Sequence, residues 1–384
     1  MKKYRFLSWT IVCFFVLCSI SGCNAPRREN TIAVGGIISL TGETPLYGES
    51  VSKGIRLATS EVNEAGGVLG KTIEYIEKDD KGDEEETEKA YRELKKKKVV
   101  GILGGITTEP SIALGQAGKK GGIAIISPTA AAPEVTSYGT NLFRVSYTVP
   151  YQSRTMASFA CEELGAKRIG VLYQFADTYA SGSASEFGKK AQQLGVKDII
   201  YRSYSKDDTD FTTQLEQIKQ EEPDVLFVPA TYKKFAIIAQ QARQIGIKSV
   251  LLGSVTAEGV LSIADEQQKE CLEGAYFSAS YFPQQEDEKS MTFAKAYERQ
   301  YGEQPNSFAA LGYDAAMLMY TSIQNAGEAD PKKVIEQITA SETEGVTGPI
   351  HLNSLGDPEN KRIFIIKISE GQYTVQTMIA PEPV

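Results

Sequence analysis

From Thr31 onward the chain alternates short β-branched runs with segments of helical period, and that alternation leaves few folds open. Residues 32–39, 72–77, 99–103 and 123–126 read as strands, with helices over 50–65, 84–97 and 110–119 between them. A strand, a helix and a further strand build a parallel sheet, because a parallel neighbour is reached only through a long crossover. Within the first helix Val51, Ile55, Ala58, Val62 and Ala65 share one stripe, and Gly66-Gly67 ends it as a left-handed cap would. A second series starts after Pro150, with helices over 152–164, 183–194, 211–220 and 233–245 and strands over 169–173, 198–204, 225–228 and 250–252. After a strand over 275–278, three helices (290–300, 307–326, 331–339) follow without strands between them, and 362–368 with 372–377 reads as a hairpin turning at Glu370-Gly371. At 384 residues the chain is too long for one ordinary domain, so two α/β lobes are expected.

Ahead of this pattern, Lys2, Lys3 and Arg5 precede an apolar run over 6–17, and Ile20-Ser21-Gly22-Cys23 supplies a small-residue cleavage site ending in cysteine. The run falls short of the roughly 20 apolar residues that cross a bilayer, so 1–22 reads as an export signal. Its end resembles the lipobox of bacterial lipoproteins, in which the cysteine is diacylated. That resemblance implies Cys23 as a lipid anchor, 23–30 as a polar tether, and a protein held outside the cytoplasm, in a periplasm or on a cell surface, that meets the membrane only through its lipid. The formal charge is −8, and loss of the three signal cations takes it to −11, which argues against nucleic acid as a partner. Only Cys161 and Cys271 remain beyond the signal, and they form a disulfide only if the fold brings them together.

The run from Asp83 to Lys98 invites a reading as a metal loop or a docking patch, but a solvated helix accounts for it better. Acids lie in its first turn and bases in its last, Glu85/Lys89 and Glu88/Arg92 are spaced for ion pairs, and Thr87, Ala90, Tyr91 and Leu94 make the buried stripe. Asp79, Asp80 and Asp83 lack calcium-loop spacing. Catalytic signatures are missing. His351 is the only histidine and sits in a strand-like run, and there is no dinucleotide fingerprint, phosphate loop, HExxH or CxxC. The expectation is a binding protein rather than an enzyme, with no cofactor and no metal.

In parallel α/β lobes, ligands collect beyond the carboxyl ends of the strands, where helix N-termini offer free N–H groups. Thr107-Thr108-Glu109-Pro110 follows a strand and combines hydroxyls with a proline suited to a first helical turn, a plausible carboxylate cradle. Ser127 to Pro133 offers backbone groups from another strand end, and Tyr47, Tyr179 and Tyr232 read as loop aromatics able to cover a small organic ligand.

Several ordered motifs then carry a resemblance: Ser39-Leu40-Thr41-Gly42 with Tyr47-Gly48, Asn63-Glu64-Ala65-Gly66-Gly67, Asp79-Asp80, Ile126-Ser127-Pro128, Asp177-Thr178-Tyr179, Phe308 to Ala315, and Gly345-Val346-Thr347-Gly348. Together they resemble the type I periplasmic solute-binding proteins of bacterial ABC importers, of the branched-chain amino acid (Leu/Ile/Val) group, from Thr31 to the end of the chain. The resemblance implies an α/β fold of two doubly wound lobes joined by three crossovers around a ligand cleft. It divides the chain into 31–147 with 280–346 as the first lobe and 148–279 with 347–384 as the second. It implies delivery of a small solute to ABC permease subunits, most simply an aliphatic amino acid, with an aromatic carboxylate or amide, in transport or in sensing, as the alternative. By position, Thr108 matches the hydroxyl that holds the ligand carboxylate, and Thr129 and Ala131 lie on the loop that meets carboxylate and ammonium. Tyr179 and Tyr232 match second-lobe aromatics, and Tyr47 a first-lobe one. Two positions depart from the amino acid binders: Ala131 replaces a hydroxyl, and Val255 replaces the acid that pairs with the ammonium. Glu258, three residues on, is the nearest substitute if its loop turns inward.

Overall fold

The computed structural model describes residues 30–283, 287–359 and 361–380. The signal, Cys23 and all but the last residue of the expected tether lie outside the described residues. Five parallel strands form the first sheet, β1 (Thr31–Ile38), β2 (Thr72–Asp79), β3 (Gly101–Gly104), β4 (Ala124–Ser127) and β5 (Leu142–Arg144), in the order β2-β1-β3-β4-β5. The winding reverses between β1 and β3, so the loops that leave their carboxyl ends diverge and open a crevice. Strands β3 and β4 are buried along their whole length, as strands covered by helices on both faces must be.

Three helices link these strands: α1 (Pro45–Glu64), α2 (Glu84–Lys96) and α3 (Thr108–Gly118). Val51, Ile55 and Ala58 of the expected stripe are fully buried, and Gly66 and Gly67 take the left-handed φ values of 104° and 79° that the end of α1 requires. The charged helix α2 buries Thr87, Ala90, Tyr91 and Leu94 and is capped by Asp83, whose carboxylate accepts from the amides of Glu85 and Glu86. Arg92 pairs with Glu88 at 3.1 Å, but Lys89 turns one residue away from the expected Glu85 and pairs with Glu86 at 2.9 Å.

The second lobe follows with α4 (Val149–Ser158), β6 (Arg168–Gln174), α5 (Thr178–Gln193), β7 (Asp198–Tyr204), α6 (Thr212–Lys219), β8 (Val225–Phe227), α7 (Tyr232–Gln244), β9 (Val250–Leu252), α8 (Val260–Ile263), α9 (Glu266–Leu272) and β10 (Tyr276–Ala279). The helix expected over 152–164 is α4 prolonged by a π-turn, Phe159–Glu163. Cys161 in that turn and Cys271 in α9 are both free thiols, so the disulfide left open by the sequence is not formed.

The three late helices, α10 (Glu288–Tyr301), α11 (Ser307–Ala326) and α12 (Pro331–Thr339), return to the first lobe, where α11 lies along α1. The backbones approach closely there: a Cβ on Gly54 would fall 2.0 Å from the Ala309 carbonyl oxygen, and one on Gly312 2.5 Å from that of Val51. A small antiparallel sheet follows, β11 (Glu342–Gly345), β12 (Gly348–Leu352) and β13 (Pro358–Glu359), with His351 exposed on β12. Last come β14 (Ile363–Ser369) and β15 (Gln372–Ile379), a hairpin turning at Glu370-Gly371 that completes the second sheet in the order β15-β14-β10-β9-β8-β6-β7. The chain thus passes between the sheets three times, after β5, after β10 and after β13.

Residues 346–361 bond to α11, to β5 and, through the Lys361 carbonyl, to Tyr151 of α4. Asp314 of α11, fully buried, accepts from the amides of Val346 (2.8 Å) and Thr347 (2.9 Å) and from the Thr347 hydroxyl (2.6 Å), which also receives Lys361 Nζ at 2.7 Å. Arg144, fully buried at the end of β5, donates to Asp357 at 2.5 Å and to the Ala130 carbonyl at 3.2 Å. Among the described residues no helix is long and apolar enough to cross a membrane.

Candidate ligand cleft

The carboxyl ends of the two sheets face each other across a cavity of about 90 Å³. Its first-lobe wall is the Ile106–Glu109 turn after β3, Thr129 to Ala131 after β4, Tyr47 and Phe308. Its second-lobe wall comes from Gln174, Asp177, Tyr179 and Ala180 after β6, Tyr204, Pro229 to Thr231 after β8, and Val255 with Thr256 after β9. Five of the expected site residues, Tyr47, Thr108, Thr129, Ala131 and Tyr179, meet on this cavity.

The aromatics are not loop residues, as expected from sequence, but stand in first helical turns: Tyr47 in α1, Tyr179 in α5 and Tyr232 in α7. Tyr47 stacks on Phe308 with ring centres 4.2 Å apart and meets Tyr232 edge-on at 5.2 Å. Tyr232 is not among the lining residues; it backs Tyr47. Tyr179 accepts from Gln152 Nε2 at 2.8 Å, and burial pushes its hydroxyl up to about 12.

Thr108 lies in the first turn of α3, and Thr107 at the N-cap makes no side-chain bond to that turn. The free N–H groups and positive end of α3 are therefore left facing the cavity, ready for an anion. Thr129 donates its hydroxyl proton to the Ile106 carbonyl at 2.6 Å, which leaves its oxygen as an acceptor. The Ala131 carbonyl already accepts from the Val149 amide at 2.8 Å, and that of Ala130 from Arg144 and Ser146.

Glu258 is where the structure departs most from expectation. Val255 and Thr256 of its loop line the cavity, but Glu258 itself is not among the lining residues. Its Oε1 accepts from the Ser307 amide at 3.0 Å, at the N-terminus of α11, while Oε2 is buried with no hydrogen-bond partner. Burial raises its carboxyl to about 7, opposed by the Ser307 amide and hydroxyl. Two acids with no ligand role expected from sequence do line the cavity, Glu109 and Asp177. Asp177 caps α5 through the Ala180 amide at 2.6 Å, and Glu109 reaches across from the first lobe to accept from the Thr178 amide at 3.1 Å. Burial raises Asp177 to about 6; Glu109 and Glu43 push in the same direction, while the Ala180 amide and Lys206 oppose. Glu109 follows Thr108 directly and Asp177 precedes Tyr179 by two residues, which was the available signal; only lobe docking reveals that they face one another.

Further bonds hold the lobes together. Tyr47 donates to the Thr256 carbonyl and receives the Tyr232 amide at 3.4 Å, and Lys233 Nζ donates to the Glu43 carbonyl at 2.7 Å. With Glu109 on Thr178 and Glu258 on Ser307, these bonds close the cleft.

Two doubly wound lobes closed over a small cavity at their strand ends define the type I periplasmic binding protein fold. The profile of the periplasmic binding protein family matches residues 31–371, and the chain belongs to that family. It is similar to the leucine-, isoleucine-, valine-, threonine- and alanine-binding protein of Pseudomonas aeruginosa, with 26% identity over 90% of this chain and 92% of that one. In structure it resembles the branched-chain amino acid transporter substrate-binding protein of Streptococcus pneumoniae solved with isoleucine, at 27% identity, a TM-score of 0.84, and coverage of 92% and 100% of the two chains. An ABC transporter solute-binding protein of R. palustris solved with benzoate has a TM-score of 0.82 over 92% of this chain and 97% of that one; at 19% identity the likeness speaks to the fold alone. Family membership implies an extracytoplasmic, solute-binding protein.

Proposed function

We propose that this chain is the receptor of an ABC importer: it captures a small carboxylate-bearing solute, an amino acid of the branched-chain or aliphatic type, and presents it to the permease. The observation that carries this reading is the open N-terminus of α3, which brings the Thr108 hydroxyl, unpaired N–H groups and a positive helix end to the cavity wall. Tyr47, Tyr179 and Phe308 supply the apolar cover that a small organic body needs. The amino acid relatives support the ligand class. A second reading, an aromatic carboxylate or amide, is favoured by Val255, an apolar side chain on the cavity where amino acid binders place an acid.

The lobes we infer are 31–147 with 280–361 and 148–279 with 362–379, the last boundary set by the bonds of 346–361 to Asp314 and Arg144. We infer further that a diacylated Cys23 holds the protein at the membrane surface. Thermal shift across amino acids, aromatic acids and amides tests the ligand class, since a ligand at 100 times its Kd adds about 2.7 kcal/mol. For the anchor, Cys23→Ser is expected to move the protein from the membrane fraction to the soluble one, because two acyl chains give a hold that one does not. Unchanged fractionation would remove the anchor from this reading.

A further inference from the structure

We propose that the amino-end face of the first lobe is a basic surface that seats the anchored protein on an anionic lipid bilayer, with Lys95 to Lys98, Lys119 and Lys120 against the headgroups and the cleft turned outward. The proposal rests on the reading of Cys23 as the lipid anchor. Lys95 and Lys96 end α2, Lys97 is its C-cap and Lys98 follows; Lys119 is the C-cap of α3 and Lys120 follows it, and all of these lysines are exposed. Tyr91 brings the two helix ends together, since a Cβ on Gly121 would fall 2.0 Å from its hydroxyl oxygen and one on Gly118 3.8 Å from its ring. None of these lysines has a carboxylate partner among the described residues, whereas Lys78, Lys89 and Lys189 each hold one within 2.9 Å. Glu93, the nearest acid in sequence, is the one taken by Lys78. Other acids at this end lie towards α11 and are engaged, Glu328 with Lys333 and Asp330 as the cap of α12.

A helix dipole favours bases in the last turn, which accounts for Lys95 and Lys96 but not for the like charges that continue beyond both helix ends. The corresponding face of the second lobe is mixed: Arg168 pairs with Glu222 at 3.7 Å, and Asp224 accepts from the amides of Lys167 and Arg168. The net charge of −8 therefore hides a local excess of positive charge at one end of the molecule. That end is also where the chain enters the fold. Strand β1 starts there at Thr31, the Asn30 carbonyl accepts from the Thr72 amide at 3.1 Å, Leu94 lies against Gly35, and Val100 donates to the Ala33 carbonyl at 2.9 Å. Cys23 and Thr31 are eight positions apart, so even a fully stretched chain keeps this face within about 28 Å of the anchor. A tether so short holds the lysines at high effective concentration over the headgroups, and an anionic surface attracts each of them within about a Debye length, ~8 Å at physiological ionic strength. The lipid anchors, and the lysines orient. All strands of the first sheet run away from this face, so the cavity at their carboxyl ends opens away from the bilayer. Contact through the lipid alone, the expectation from sequence, is thereby extended to a surface of the protein.

The test is sedimentation of the unlipidated Cys23→Ser protein with vesicles of phosphatidylcholine alone or with about 30% phosphatidylglycerol, at about 50 mM and about 300 mM salt. The expected result is binding to the anionic vesicles only, weakened by salt, and reduced about tenfold or more when Lys95, Lys96, Lys97, Lys98, Lys119 and Lys120 are all changed to Gln. Lys197→Gln with Lys248→Gln, on the second lobe, should bind as the parent does. If the full variant fails to fold, Lys97→Gln, Lys98→Gln, Lys119→Gln and Lys120→Gln together leave the last turn of α2 intact and should still weaken binding severalfold. Orientation is read in the lipidated protein by nitroxide-lipid quenching of Lys120→Trp against Phe175→Trp, an exposed position just beyond β6, because the one native tryptophan, Trp9, lies in the signal. Quenching is expected at position 120 and not at 175. Equal binding of parent and lysine variants, equal binding to neutral vesicles, or equal quenching at the two positions overturns the surface and leaves the anchor standing. Binding to soluble polyphosphate without binding to anionic vesicles overturns it in favour of a soluble polyanion. A Cys23→Ser protein that stays with cell membranes even at high salt removes the anchor instead, and with it the tether on which the orientation depends.

Discussion

The N-termini of α3 and α5 meet on the same cavity from opposite lobes, and they are finished in opposite ways. The first turn of α3 has no side-chain cap, whereas that of α5 carries two carboxylates, its own Asp177 and Glu109 from across the cleft. Both ends are electrostatically alike, since each exposes free N–H groups at the positive pole of a helix. The difference assigns their roles. An end satisfied within the protein has no further need of an anion, and an end left open is where a carboxylate gains most. The N-terminus of α11 extends the pattern, because it is bonded by Glu258 from the second lobe. Each lobe therefore lends a glutamate to a helix end of the other, while α3 receives none.

The contrast is broken most severely by finishing α3 as α5 is finished. Thr107→Asp places a carboxylate at its N-cap, so a solute carboxylate would meet a like charge; binding should fall by several kcal/mol. The helix itself should gain about 0.5–1 kcal/mol without ligand. Calorimetry and apo melting read the two effects separately, and a variant that binds normally would show that the carboxylate sits elsewhere. Thr108→Val is milder: it removes one hydroxyl at constant size and should weaken binding by about 1.5–3 kcal/mol with little change in apo stability.

Glu258 sharpens the comparison through pH. Its carboxyl rises from an ordinary 4.5 to about 7 in the folded protein, so the folded state holds its proton more firmly than the unfolded chain does. The associated stability is complete below about pH 4.5 and is lost as pH climbs towards about 7. Glu258→Gln does not titrate, so its melting temperature should match the wild type in acid and exceed it at about pH 8, by an equivalent of about 2–3 kcal/mol. Parallel pH profiles for the two proteins would contradict the assignment. The smallest effect belongs to Thr231, at the N-cap of α7, whose buried hydroxyl has no partner. Thr231→Val should change apo stability by less than about 1 kcal/mol, in the stabilising direction, in a denaturant titration.

Much of the fold was legible in the sequence because core-facing residues repeat with the period of their element. The stripe of α2, the glycine end of α1 and the Glu370-Gly371 hairpin all follow local rules. Helix starts were read too late for a common reason. The periodic stripe of α1 was picked up from residue 50, yet the helix begins at Pro45; α3 begins at Thr108 rather than 110, and α5 at Thr178 rather than 183. Those first turns carry Tyr47, Thr108 and Tyr179, which line the cavity, so their polarity hides the helix they belong to. The facing of Glu109 and Asp177, and the turn of Glu258 onto α11, depend on how two lobes dock, which no periodicity within one element records.

The hydroxyl of Tyr47 has a consequence for time rather than for choice. Both of its bonds, to the Thr256 carbonyl and from the Tyr232 amide, go to the second lobe, while its ring stays stacked on Phe308 of the first. A solute can enter an open cleft before either bond exists, but it cannot leave a shut one until both are broken. Tyr47 thus bears on dwell time, and a receptor that must survive the journey from capture to hand-over is governed by how slowly it lets go as much as by how tightly it holds.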